Sequence, residues 1–195
     1  MNQVPSWAPE VIFDEKAGHF LIFWSTTITG RFPETALSGS RSDRNHRIYS
    51  TTTRDFASFT PVRLHYDAGF NVVDATLLRD GDAWLMFLKN ETEKPEPEKN
   101  IRLVRAASPS GPFSPVSPPS TGAYWAEGPT AIKVGDYWQV YFDKYRERRY
   151  GMVRSRDLVN WKDCSDKVSF PDGVRHGTVL AVSSKIVAKL METEP

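Results

Sequence analysis

Cysteine is almost missing from this 195-residue chain, with Cys164 alone, which excludes an internal disulfide framework. A lone thiol suits a reducing compartment, or an exported protein that needs no disulfide. Net charge is nearly missing too: 25 basic residues face 24 acidic ones, for +1 overall. That removes the electrostatic ground for a nucleic-acid partner or an anionic membrane surface. No apolar run approaches the roughly 20 residues that span a bilayer. The opening MNQVPSWAPE lacks the apolar core of a signal peptide. The chain as written reads as cytoplasmic, and as secreted or periplasmic if its N-terminus is truncated. Helix signals are scarce, and only the tail after Val182, SSKIVAKLMETEP, reads as helix or frayed end.

What is present is β-strand signal and aromatic bulk. Six Trp, seven Tyr and eleven Phe supply both core packing and faces that stack on sugar C–H groups. Short runs rich in Val, Ile, Phe, Tyr, Trp and Thr are broken by Gly, Asp and Pro turns. Three runs share one plan: APEVIFDEKAGHFLIFWS, VDATLLRDGDAWLMFLK and EGPTAIKVGDYWQVYFD. Each has a polar residue, an apolar strand, a Gly-centred turn and a second strand of aromatics and aliphatics. Asp80–Gly81 and Gly135–Asp136 are hairpin pairs. A third strand follows each run, in HRIYSTTTRDFASFTPV, NIRLVRAASPSGPFSPV and RRYGMVRSRDLVNWKDC, aligned on Phe59, Phe113 and Trp161. A fourth start, HGTVLAVS, opens at His176.

Glu10, Asp74, Glu127 and His176 open these repeats 64, 53 and 49 residues apart. Periods of that size with about four strands each fit propeller blades. An up-and-down sandwich leaves the recurring polar residue unexplained. In a propeller the first strand of every blade lines the axis, so the four residues are expected to converge at one end of the channel. The expected fold class is all-β, a β-propeller over residues 1–183 with about four blades, then a tail over 184–195. Paired carboxylates across a cleft are the equipment of glycoside hydrolysis, one protonated to release the leaving oxygen and the other activating water or attacking. Crowding of carboxylates raises one pKa and keeps the acid protonated.

The segments WAPE, VVDATLL, EGPTAIK, SRDLVNW and RHGT, in that order from Trp7 to Val182, resemble glycoside hydrolase family 43. These are five-bladed propellers acting on arabinose- and xylose-containing glycans, generally with inversion. The resemblance implies that Glu127 is the general acid and Asp74 the carboxylate that tunes and positions it. It implies that His176 lies at the axis beside a calcium ion or its waters, and that Trp7 and Glu10 border the substrate. Trp125 is a stacking candidate and Arg175 a substrate-contact candidate. No organic cofactor is implied. The family's general base is an aspartate in a D-P context upstream of the W-A-P segment. No D-P dipeptide occurs here, so the first blade and the base are expected to be missing. An unclosed ring would expose sheet edges open to self-association. Three explanations stand: a fragment of a longer product, a shortened sugar-binding homologue, or a base supplied by another acidic residue or a second chain.

The bland readings are also expectations. Asp74 would hydrogen-bond strand ends, Glu10 would be a surface charge, and His176 a structural hydrogen-bonder. Phe70 and Tyr145 are read as packing, Trp24, Trp84, Trp138 and Trp161 as core or inter-blade contacts, and Cys164 as inert. His46–Arg47 carries no assigned role. NETEKPEPEKN is read as a solvated loop, and Thr27–Asn45 as a loop that either borders the ligand or is solvated. A noncatalytic carbohydrate-binding propeller and a protein-binding scaffold are the alternatives to an enzyme acting on an oligosaccharide or polysaccharide.

Overall fold

A computed structural model describes residues 6–37 and 44–192. The residues form three antiparallel sheets, each an up-and-down meander. The first holds β1 (Trp7–Asp14), β2 (His19–Thr26), β3 (Arg47–Thr53) and β4 (Arg63–Tyr66). The second holds β5 (Val72–Asp80), β6 (Ala83–Asn90) and β7 (Ile101–Ala106). The third holds β8 (Glu127–Val134), β9 (Tyr137–Lys144), β10 (Arg149–Ser155) and β11 (Lys162–Asp163). The expected hairpins form, with Asp80 paired to Ala83 across Asp82 and Gly81, and Val134 paired to Tyr137. Strand β5 lies against both β1 and β8, so the first strands of the three sheets stand side by side as the inner strands of blades do.

Alternation along the strands builds two cores. Leu21, Phe23 and Ile48 of the first sheet meet Val72, Met86 and Leu88 of the second. The opposite face of the second sheet, with Leu85, Phe87 and Leu103, meets Val140, Phe142 and Val153 of the third. Trp138 and Trp161 pack against that second core, as expected, and Cys164 is buried. The second sheet lacks a fourth strand because the chain there is SPVSPPST. Its prolines have no N–H for a ladder. Ser114, Ser117 and Ser120 donate their backbone N–H to the carbonyls of Arg105, Leu103 and Ile101. The hydroxyls of Ser114, Ser117 and Thr121 accept from the N–H groups of Arg105, Leu103 and Ile101. This Ser and Thr edge thus satisfies both the donors and the acceptors on the outer side of β7, whose inner side pairs with β6.

The described residues hold three sheets where the repeats lead one to expect about four blades. The fourth start, from His176, forms no strand. Beyond it, Ser184–Glu192 is a helix, α1. The helical alternative for the tail is the one adopted. No helix among the described residues is long and apolar enough to cross a membrane.

Each inner strand opens on a bulge, at Trp7/Glu10, Val73/Thr76 and Glu127/Thr130. The residue after the first of each pair is left-handed: Ala8 (φ 44°), Asp74 (φ 53°) and Gly128 (φ 56°), with His176 (φ 50°) repeating the state. The structurally equivalent residues are therefore Ala8, Asp74, Gly128 and His176. This corrects the alignment read from polarity, in which Glu127 stands one residue early and Glu10 two residues late.

Two outcomes follow. A Cβ on Gly128 would approach His176 Nδ1 to 2.7 Å, and L-residues pay about 1–2 kcal/mol in that conformation. Gly128→Ala is expected to lower unfolding free energy by at least that amount in urea titration, whereas Ala8→Gly does not lower it. His65, stacked on Phe23, has both ring nitrogens unpartnered. Burial, helped by the charge of Arg63, pushes its pKa down to about 4. Its neutral form is the folded one, so its contribution is complete above pH 6.5 and is lost as pH falls toward 4. His65→Leu should flatten that interval of the stability profile.

Candidate functional site

The bulges aim side chains at one end of the axis. A pocket of about 400 Å³ is lined there by Trp7, Leu37, Arg44, His46, Val73, Asp74, Lys89, Glu91, Glu127, Arg175 and His176. Asp74 and Glu127 arrive from neighbouring blades. Asp74 Oδ2 accepts the backbone N–H of Gly128 at 3.0 Å, a bond that joins the two inner strands at the point where both are bulged. Asp74 is almost enclosed. Burial raises its pKa, against the lowering charge of Lys89 and the Gly128 hydrogen bond.

Glu127 faces the pocket among cations. Lys89 Nζ donates to its Oε2 at 3.0 Å, Arg175 bonds its Oε1, and His176 Nε2 lies 3.4 Å from that oxygen. Burial alone would raise its pKa, but the His176 hydrogen bond and the Lys89 charge outweigh it and hold the carboxyl down to about 2. In the ligand-free pocket Glu127 is a carboxylate, the opposite of the protonated state an acid requires. In return, the hydrogen bond with Glu127 raises the His176 pKa.

Directly opposite Glu127 in the β8–β9 ladder stands Asp143, a like-charge pair that needs compensation. Arg175 bridges the two, with Nε 3.3 Å from Asp143 Oδ2, and the His176 backbone N–H also approaches Asp143 Oδ2 at 3.3 Å. The positions opposite the three bulges are Ser25, Lys89 and Asp143. These are the closing residues of the three repeated runs, FWS, FLK and YFD. A charge closing an otherwise apolar run was the available signal, and reading only the first residue of each run missed it.

Trp7 lines the pocket, edge-on to His46 with ring centroids 6.5 Å apart. His46 also lines it, and Arg47 holds the loop beneath. Arg47 is fully buried. It donates to Asp67 at 2.6 Å, to Asn45 at 3.0 Å and to Thr35 at 2.8 Å, with Phe32 over its guanidinium. The pair left without a role thus forms the wall and its anchor. Leu37 and Arg44 of the 27–45 loop reach the pocket, while 38–43 lie outside the described residues.

Two candidates lie elsewhere. Glu10 lines a separate axial cavity of about 160 Å³ with Ala8, Pro9, Ala75, Pro129 and Thr178, which touches the pocket only through Asp74 and His176. Burial pushes its pKa up to about 7, against hydrogen bonds to Thr76 and the Leu77 backbone. Its side chain is displaced because it follows the bulge by two residues. Trp125 does not line the pocket. It lies under Arg146, 4.3 Å from its centroid, and beside Tyr145, as packing behind the wall.

Asp74, Glu127 and His176 have ligand atoms all within 4.8 Å of one another. These residues do not fit a calcium ion. Calcium takes six to eight oxygens, whereas this set offers a nitrogen, a carboxylate bonded to a backbone amide, and a carboxylate taken by Lys89 and Arg175.

The chain as a whole is similar to known proteins. Over 153 residues the chain is 27% identical to an alpha-L-arabinofuranosidase of Bifidobacterium longum, covering 68% of this chain and 14% of that protein. Among solved structures it superposes on a family 117 glycoside hydrolase of Zobellia galactanivorans (TM-score 0.62, 14% identity, 82% of this chain and 55% of that one). It also superposes on a thermostable family-43 glycoside hydrolase (TM-score 0.60, 15% identity, 89% and 60%). The chain thus spans about a seventh of the curated relative and little more than half of these structures, whose likeness is one of fold. The family described as "Probable glycosyl hydrolase domain", the glycosyl hydrolase 43-related family, matches residues 1–187. The chain belongs to the glycosyl hydrolase 43-related family.

Proposed function

We propose that this chain carries the acid half of an inverting glycoside hydrolase acting on arabinose- or xylose-containing glycans, within a five-bladed ring whose remaining blades include the general base. The observation that carries this reading is the meeting of Asp74 and Glu127 from adjacent blades across the Gly128 hydrogen bond. Geometry divides their roles. Asp74 is enclosed and tied to the backbone, so it tunes and orients. Glu127 faces the pocket and reaches the glycosidic oxygen. The relative named an arabinofuranosidase supports the choice of sugar.

An acid must carry a proton, and the ligand-free pocket keeps Glu127 ionised. Proton uptake therefore accompanies sugar entry. Arg175, whose side chain is 57% exposed, is the cation a sugar displaces most easily, and exclusion of water then favours the neutral acid. Trp7 at the rim offers its ring face to the sugar. The ionised state of Glu127 also favours a second reading, a propeller that binds sugar without cleaving it.

Arabino- and xylo-oligosaccharides, whose leaving sugar oxygen needs the acid's proton, separate the two. In a ring that includes the base, turnover is expected, and Glu127→Gln should lower it by about 10²–10⁴-fold. Wild-type turnover in that variant would remove Glu127 from its role. Calorimetric sugar binding without turnover selects the second reading. A chelator should leave the thermal midpoint and any turnover unchanged, since the donor atoms are already engaged. A drop restored by calcium would place an ion at the axis.

A further inference from the structure

The run NETEKPEPEKN reads as a solvated excursion, yet Glu91, Glu93 and Lys99 are turned inward, while Lys94, Glu96 and Glu98 face solvent. Asn90 and Asn100 close it, Asn90 N–H donating to the Asn100 carbonyl at 2.8 Å. Lys99, with a side chain 2% exposed, lies 3.0 Å from Glu91 and 3.5 Å from Glu93. Its ammonium also donates to the Glu91 backbone carbonyl at 2.9 Å. Glu91 in turn lies 2.7 Å from Lys89, which is 4% exposed. A chain of alternating charge thus runs Glu93, Lys99, Glu91, Lys89, Glu127.

Buried lysines are costly unless paired, and apolar replacements for such pairs are often neutral or stabilising. Filling space does not explain two buried lysines among three half-buried carboxylates beside a pocket. We propose that Lys89 is a positioning residue for Glu127, and that the segment 90–100 is the wall that holds it, with Lys99 fixing Glu91 and Glu91 fixing Lys89. The carboxylate is thereby held by an ammonium that cannot swing away, while its other oxygen remains with the half-exposed Arg175.

Every element around Glu127 contributes charge. Strand β6 supplies Lys89, the segment after it Glu91, β5 Asp74, and β9 Asp143. The segment beyond β11 supplies Arg175 and His176. The Tyr145 ring lies 4.7 Å from the Lys89 ammonium. Of the cations, Lys89 alone is both enclosed and locked by a second carboxylate. The kinetic consequence rests on the reading of Glu127 as the proton-carrying group, whereas the geometry does not.

The test uses the full chain with ¹³C-labelled glutamate carboxyls, the Glu127 resonance being identified by its loss in Glu127→Gln. Lys89→Met should raise the Glu127 titration midpoint by about one unit or more, and Lys89→Arg should restore it. A midpoint unchanged in Lys89→Met overturns the proposal. Should that variant not fold, Lys89→Met/Glu91→Gln removes both members of the pair and is read the same way. With an arabino- or xylo-oligosaccharide and the ring that includes the base, Lys89→Met should lower kcat about 10–100-fold with KM nearly unchanged, although the raised midpoint protonates more of Glu127. A loss confined to KM overturns the positioning role. A shifted midpoint in a base-containing ring that turns over no glycoside leaves Lys89 in place and removes the proposed function instead.

Discussion

Each inner strand of this protein opens with one residue forced into the left-handed region, and the site depends on that constraint. The bulge turns the following strand and leaves the preceding side chain directed at the end of the axis. At Asp74 the same twist brings the carboxylate onto the Gly128 amide of the next blade. At Gly128 there is no room for a Cβ against His176, so the residue before it, Glu127, becomes the one that reaches the pocket. One backbone conformation, repeated, joins the blades and aims their chemistry.

Charge compensation is the second organising force. Two carboxylates face each other at Glu127 and Asp143, and a third lies close by at Asp74. Such a cluster is stable only because Lys89, Arg175 and His176 are brought to it by other elements. The same cations set the protonation states, with burial raising Asp74 and the cations lowering Glu127. Groups that hold the site together therefore also decide its charge state.

Much of the fold was legible. The repeats, their hairpins and their core-facing aromatics follow from two-residue periodicity and turn chemistry, and the sheets form where those signals lie. Asp74, Glu127 and His176 were legible as neighbours because a repeat brings distant positions to one place, and Trp7 was legible through the family resemblance. Lys89, Asp143 and His46 were not, since a charge closing a strand looks like an ordinary exit to solvent. The run of lysines, glutamates and prolines after β6 looked solvated for the same reason, because composition does not record which charges pair. Glu10 and Trp125 were polar and aromatic in the right neighbourhoods, but a bulge and a cation stack sent them elsewhere.

The sequence by itself determined the all-β class, the spacing of the blades and the residue types that meet at the axis, because hydrophobic alternation and turn residues are local properties. Only the tertiary structure decided which position in each repeat is left-handed, which charges are enclosed together and hence which carboxylate keeps its charge. Those outcomes depend on dielectric surroundings and on partners from other blades, which no single stretch of the chain contains.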